Sequence, residues 1–366
     1  MDNNHKVIKM IPILVVAVIA IAYFWGWDIG VKLHPDQTAD GMIALTTIVN
    51  EQIEAGDESG VFYVSNVTEE DINSINDYIC GLYGNVNQYS VIQKTKKGMK
   101  IILRYEISDN YYVYQKYING TGIPGDRPAA VKLYDKVDSI LNSIIKPGMT
   151  DYDKELAIHD YIVANCKYGY VDYSKEYAYR AYGALVQGTA VCNGYAEAMA
   201  LLLSCSGVEN DFMTGTADGE LHAWNRVCLD GNWYQVDATW DDPLPDRGSF
   251  VGHMYFNVTD DIMDDRHVWD EDSFEACDSM TYNYFARNNL ICDYQGFKNA
   301  VKHTAGRNIT GTVEIAVTDY SVDMYDMKFL EEVPGVMYCQ YGHEEYGDDM
   351  QVITIYLNQL DRQTYD

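Results

Sequence analysis

Apolar positions along this chain follow three spacings. Residues 10–27, MIPILVVAVIAIAYFWGW, form one uncharged run with Lys6 and Lys9 before it and Asp28 after it. Such a run can cross a bilayer as a helix, and Tyr23, Phe24, Trp25 and Trp27 continue it as an interfacial aromatic belt would. The preceding lysines predict an inside N-terminus and an outside remainder. A cleaved signal peptide ending at Ala20-Ile21-Ala22 is the rival, and either reading exports the chain. Helical spacing follows a short polar linker at 28–40: an amphipathic helix over Gly41 to Ala55, another opened by Thr68 with Asp71 three positions on, and a third over Ala129 to Ile145 stopped by Lys146-Pro147-Gly148. Thr150 caps a fourth, with Leu156, Ile158, Tyr161, Ile162 and Val163 as its apolar face. Strand-like alternation marks 60–66 and 88–108, the latter as two strands around a Lys-Gly turn. Near the end, 312–319 reads as a strand, 321–333 as a helix and 336–357 as a hairpin. This strand–helix–strand–strand order copies the unit at 60–108 and suggests an internal repeat flanking a central core.

The centre is Tyr182 to Pro243. Cys192 precedes AEAMALLLSCSG, whose composition favours a helix ending at Gly207, so the thiol sits at a helix N-terminus. The partial positive charge and free N–H groups there favour the nucleophilic thiolate. His222 in ELHAWNRVCL and Asp237 in NWYQVDATW flank Asp230-Gly231, a strong signal for a two-residue hairpin turn. With Leu229 facing Asn232, Trp224 lies opposite Asp237 and His222 opposite Thr239, which makes His222 and Asp237 diagonal neighbours on one face. A three-residue loop with a bulge would instead put them on opposite faces. A thiolate attacks an amide or ester carbon, an imidazole moves protons, and a carboxylate orients the imidazole. The oxyanion would meet the Cys192 backbone N–H and a second donor, with Gln187 and Tyr182 as candidates.

The VCNGYA, HAWN and NWYQVDATWDDP segments resemble the core of the transglutaminase-like superfamily of papain-like thiol enzymes, as do TDYDKELAIHDYIVANCKY upstream and MYFNVTDDIMDDRHVWD downstream. The resemblance implies Cys192 as nucleophile, His222 as general base and Asp237 as orienting acid, on an α+β fold in which the cysteine helix packs on an antiparallel sheet. The expected organisation is a cytoplasmic 1–9, a transmembrane anchor at 10–27, a linker at 28–40, an N-terminal α/β unit at 41–120, a connecting helix at 121–149, a catalytic domain at 150–292 and a C-terminal α/β unit at 293–366. The expected function is a cell-surface, acyl-enzyme hydrolase of peptide or protein amide bonds, a protease, peptidase or deamidase. Protein cross-linking and a non-catalytic surface-binding or scaffold role are the alternatives. The substrate is a peptide or protein, cell-wall associated in one form, and the location is membrane-anchored and extracellular, or secreted if residues 1–22 are removed.

A net charge of −29 with a pI near 4.4 argues against nucleic acid as partner. The 32 tyrosines read as packing residues. Among the 8 cysteines the disulfide pairing stays open, with Cys277 and Cys292 as the first candidates for a bridge, while Cys166, Cys205 and Cys228 lie in apolar elements as buried thiols. No C-x-x-C or paired Cys/His spacing indicates zinc, and no EF-hand loop accompanies the acidic clusters at Asp241 and Asp242 or at Asp260, Asp261, Asp264 and Asp265, so neither cofactor nor metal is expected. Those acids read as solvated loops. His159, His253 and His267 read as packing or local hydrogen-bonding residues, with His267 in a family-like segment that walls the cleft or ties the structure.

Overall fold

The computed structural model describes residues 37–77, 79, 81–169, 175–242, 250–307, 311–336 and 339–357. The predicted anchor at 10–27 lies outside them. Among the described residues, no helix is long and apolar enough to cross a membrane.

Two compact units divide the chain, one up to Ile79 together with Tyr83–Ile107, the other from Ser108 on with 81–82. In the first, β1 (Gln37–Asp40) leads into α1 (Gly41–Glu54), so the predicted linker ends in a strand. Leu45, Val49 and Ile53 recur at helical spacing and are buried, while β2 (Ser59–Ser65) runs parallel to β1. The Thr68–Asp71 capping box forms as predicted, yet α2 (Glu69–Asn73) stops after five residues. Ser74 turns back to the Glu70 and Asp71 carbonyls, and the Asn76 amide clamps Val86 through both its backbone groups at 2.8 and 2.9 Å. β3 (Gly84–Thr95) and β4 (Gly98–Ile107) close a sheet of order β1-β2-β4-β3.

The second unit begins with three helices, α3 (Asp109–Asn119), α4 (Pro128–Ile144) and α5 (Asp151–Asn165), the last opened by the predicted Thr150 capping box. Short strands β5 (Lys167–Tyr168) and β6 (Thr189–Ala190) pair in parallel ahead of α6 (Cys192–Ser206). Helix α6 is apolar on nearly every side because it is buried on nearly every side, between the other helices and an antiparallel sheet. That sheet has the order β10-β9-β8-β7-β11, from β7 (Asn210–Ala217), β8 (Glu220–Leu229), β9 (Asn232–Val236), β10 (Phe256–Val258) and β11 (His267–Val268). The core is thus the expected mixed α/β arrangement of a cysteine helix on an antiparallel sheet.

A third sheet, β12-β13-β15-β14, comprises β12 (Ile291–Cys292), β13 (Gly311–Val317), β14 (Cys339–Tyr346) and β15 (Met350–Leu357). Helix α7 (Tyr294–Arg307) joins its parallel pair β12 and β13. Strand order, the parallel first pair and the connecting helix all match the first unit, so the repeat extends one helix and one strand further N-terminal than the sequence pattern suggests. The helix predicted at 321–333 is absent. Asp326 caps the Lys328 N–H and Met327 takes a left-handed φ of 59°, leaving a single 3₁₀ turn at Lys328–Glu332. Cys277 and Cys292 are free thiols rather than a bridge, as are the other described cysteines. Cys277 is buried beside Asp260, and Cys292 stands in the strand ahead of α7.

Candidate active site

Cys192 is the first residue of α6, with Val191 as an extended N-cap that supplies no side-chain bond. The Val191 side chain thus caps neither the Cys192 nor the Asn193 N–H beside the thiol, while the Gly194 N–H donates to the Val191 carbonyl at 2.9 Å. Gly207, left-handed at φ 77°, ends the helix where composition placed it. Two contacts fix its N-terminal half. Gly194 sits against the Ala178 carbonyl, where a Cβ would come within 2.5 Å. Glu197, wholly buried, accepts from the Ala181 N–H (2.9 Å), Asn110 (2.9 Å), Arg180 (3.1 Å) and Asn193 (3.3 Å), drawing the 178–181 segment and the start of α3 onto α6.

The β8–β9 hairpin forms in the predicted register, Leu229 facing Asn232 across a turn in which Asp230 and Gly231 both have positive φ (51° and 78°). The pairing runs to Asn225 facing Val236, which brings His222 and Asp237 to one face. Their contact is short, His222 Nε2 to Asp237 Oδ2 at 2.6 Å. With Nε2 so engaged, Nδ1 is the ring nitrogen left to face the Cys192 thiol, whose nearness favours the charged ring. Burial opposes a charged His222, but the Asp237 carboxylate outweighs it and, with Cys192, lifts the ring to about 10.

Asp237 is fully buried and fully used. Its Oδ1 accepts from the Thr239 and Trp240 backbone N–H groups at 2.9 and 3.2 Å. Its Oδ2 accepts from His222 and, at 3.1 Å, from His267 Nε2. Burial pushes its acidity the unfavourable way, yet the two imidazoles hold it below the usual carboxylate range. His267, wholly buried on β11, thus belongs to the site. The downstream HVW segment was its only sequence signal, because β11 joins this sheet through β7 and no local spacing relates it to Asp237. Trp224 and Trp240 pack on His222 at ring-centroid distances of 6.0 and 5.8 Å, and Trp240 on His267 at 4.4 Å, walling the His222–Asp237–His267 group with aromatic rings.

The oxyanion candidates lie on the turn before β6. Tyr182 N-caps a π turn at Gly183–Gln187 and packs on Tyr177 (4.6 Å), and Gln187 ends it ahead of left-handed Gly188. Among the described residues, no hydrogen bond joins either side chain to Cys192 or His222. The acids of the first cluster are not solvated as expected. Asp241 is buried, accepting from the Tyr255 N–H (2.8 Å) and lying 3.1 Å from His159 Nε2, while Asp242 accepts from Tyr195 of α6 at 2.5 Å. Asp260 also serves structure, accepting from Gln235 and the Cys277 N–H, whereas Asp261, Asp264 and Asp265 are exposed as expected. His159 bonds locally to its neighbour Asp160 at 3.2 Å, as expected, but it also reaches Asp241, and His253 meets Asp160 from 93 residues away.

Residues 138–238 match the model of the transglutaminase-like superfamily. The chain is also similar to human kyphoscoliosis peptidase, 27% identical over 141 residues, a segment that is 34% of this chain and 21% of that protein. The chain therefore spans about a fifth of the length of that curated relative. Among solved structures, it resembles a TGase at 19% identity, covering 50% of this chain and 51% of that one with a TM-score of 0.27. A Cytophaga hutchinsonii structure is similar at 16% identity over 43% of this chain and 66% of its own, with a TM-score of 0.25. The matched segment, which carries Cys192, His222 and Asp237, is thus the transglutaminase-like part of this chain.

Proposed function

We propose that this chain is a thiol enzyme that cleaves amide bonds of peptides or proteins through an acyl-enzyme on Cys192. The observation that carries this reading is the geometry around His222, which is bonded through Nε2 to a buried carboxylate and interacts with a thiol at a helix N-terminus. That arrangement favours a thiolate–imidazolium pair. The thiolate adds to the amide carbon, the Cys192 N–H and a second donor receive the oxyanion, and the imidazolium gives its proton to the departing amine. Water, deprotonated by His222, then adds to the thioester carbon and releases the acid. Gln187 and Tyr182 are the side chains proposed to complete the oxyanion site. Export and a membrane anchor at 10–27 belong to the same proposal, and place the catalytic domain outside the cell.

The test is iodoacetamide labelling of Cys192 in the full chain, followed by peptide mass spectrometry across pH, beside His222→Ala. Labelling is expected to stay fast well below the free-thiol pKa of about 8.5 and to slow in the variant. Ordinary thiol behaviour in both proteins would remove the enzyme reading. Peptide amides offered with and without a lysine-like amine then separate hydrolysis from cross-linking.

A further inference from the structure

A second group of histidines and acids lies apart from Cys192. His159 of α5, its neighbour Asp160 and His253 of the segment before β10 converge, although 93 residues separate Asp160 from His253 in sequence. His159 Nδ1 is 3.2 Å from Asp160 Oδ1, and the same oxygen is 3.0 Å from His253 Nε2. All three atoms lie within 4.8 Å of one another.

The two separations from Asp160 Oδ1, 3.2 and 3.0 Å, match edges of a small coordination polyhedron. Ligands about 2.0–2.1 Å from a tetrahedral zinc ion stand roughly 3.3 Å apart. The outer groups are also those a metal site needs. His159 presents its other nitrogen, Nε2, to buried Asp241 at 3.1 Å, an outer carboxylate of the kind that orients a ligating ring and raises its basicity while Nδ1 faces Asp160. His253 is held flat on Tyr284, with ring centroids 3.7 Å apart and planes 5° from parallel, and its backbone N–H is tied to Glu314. Both rings are buried, whereas the Asp160 side chain is 43% exposed and leaves a solvent-facing approach. Two imidazole nitrogens and one carboxylate oxygen are a borderline donor set suited to zinc and its neighbours rather than calcium. An ion bound to Asp160 and backed by Asp241 would have its two charges matched by two carboxylates. One turn before His159, buried Glu155 has an oxygen with no partner among the described residues.

We propose that His159, Asp160 and His253 form a binding site for a zinc-class divalent metal ion, with Asp241 as its outer-shell carboxylate. The Asp241 N–H donates to the Asp237 carbonyl at 3.1 Å, so an ion here would hold the loop that also carries Asp237. The site is separate from the His222–Asp237–His267 group, which offers a comparable set of atoms and serves as the internal control.

The full chain, metal-stripped and kept in detergent for its apolar N-terminal run, is titrated with Co²⁺ while visible absorption is followed, with Zn²⁺ as competitor. One ion per chain with a low-coordinate cobalt spectrum is expected, displaced by Zn²⁺ and retained in His222→Gln. In His253→Gln the affinity should fall by more than the about 100-fold that loss of an outer-shell partner can cost, and in Asp241→Asn by about 10–100-fold. Asp160→Asn alters a half-exposed side chain without touching either ring's packing, and guards against misfolding of the histidine variant. Zn²⁺ should raise the melting temperature of wild type and His222→Gln, but not of Asp160→Asn or His253→Gln. Affinity weaker than about 1 mM in wild type would overturn the site. So would equal binding by Asp160→Asn and His253→Gln, or loss of binding in His222→Gln, which would assign the ion to the Cys192 site.

Discussion

One oxygen of Asp237 serves two imidazoles. The 2.6 Å bond to His222 and the 3.1 Å bond to His267 converge on Oδ2, while two backbone N–H groups occupy Oδ1. His267 is thus a positioning residue, acting on the catalytic pair through the carboxylate. A hydrogen bond to a charged group contributes about 1.5–3 kcal/mol, so His267→Ala is expected to slow Cys192 labelling and turnover by about 10-fold or more. Loss of this donor also makes Asp237 easier to protonate, so the acid limb of the labelling profile should move to higher pH. His267→Gln, which keeps an N–H donor, should restore both. If the ring only fills space, both variants would lower the melting temperature and leave the acid limb where it is.

Helix α6 must bring its N-terminus against the 178–190 segment, and this closeness depends on a missing side chain. A Cβ at Gly194 would lie 2.5 Å from the Ala178 carbonyl and 2.8 Å from the Ala190 Cβ. Both neighbours are backbone or backbone-bound, so neither can swing aside. Gly194→Ala should therefore destabilise the protein by about 1–3 kcal/mol despite its better helix propensity, and should slow labelling of Cys192 two residues away. Urea unfolding midpoints test the first expectation, and unchanged stability would mean that the segment yields freely. Glu197, one turn further along α6, holds the same segment through the Ala181 N–H and Arg180. Glu197→Ala would orphan the Ala181 N–H and the Asn110 amide, at a cost of about 1–3 kcal/mol.

The whole molecule buries several groups that hold protons more tightly folded than unfolded. Burial pushes Glu155 and Glu314 up to about 8. For His159 burial works against the charged ring, but bonds to Asp160 and Asp241 carry it up to about 9, and His222 reaches about 10. The signs agree. The two acids cost stability progressively from their unfolded value near 4.5 up to about 8, and the two histidines contribute stability below about 6.5 that is lost as pH rises through about 9 and 10. Asp160 and Asp237, held below their ordinary range, act oppositely only on the acid side, where stability falls as they protonate. The metal-free protein should therefore melt highest at about pH 4–5 and lose stability steadily to about pH 10. Self-repulsion of the −29 chain adds in the same direction. Melting temperatures that rise between pH 5 and 8 would contradict this assignment of the buried protons.

Local order was legible because local physics sets it. Asp230-Gly231 accepts positive φ at both positions, which fixes the hairpin register and with it the meeting of His222 and Asp237. Thr150 and Thr68 carry their own caps, and the composition after Cys192 can only be a helix. Where a side chain competes with the backbone, the apolar spacing misleads: Asn76 and Asp326 ended helices that their neighbours favoured. Tertiary structure alone decided the rest. It brought His267 to Asp237 through a strand that pairs on the far side of β7, buried Asp241 against His159, and gathered Asp160 and His253 across 93 residues. No short-range pattern encodes such meetings, because a charged side chain enters the interior only where partners from distant elements complete its hydrogen bonds.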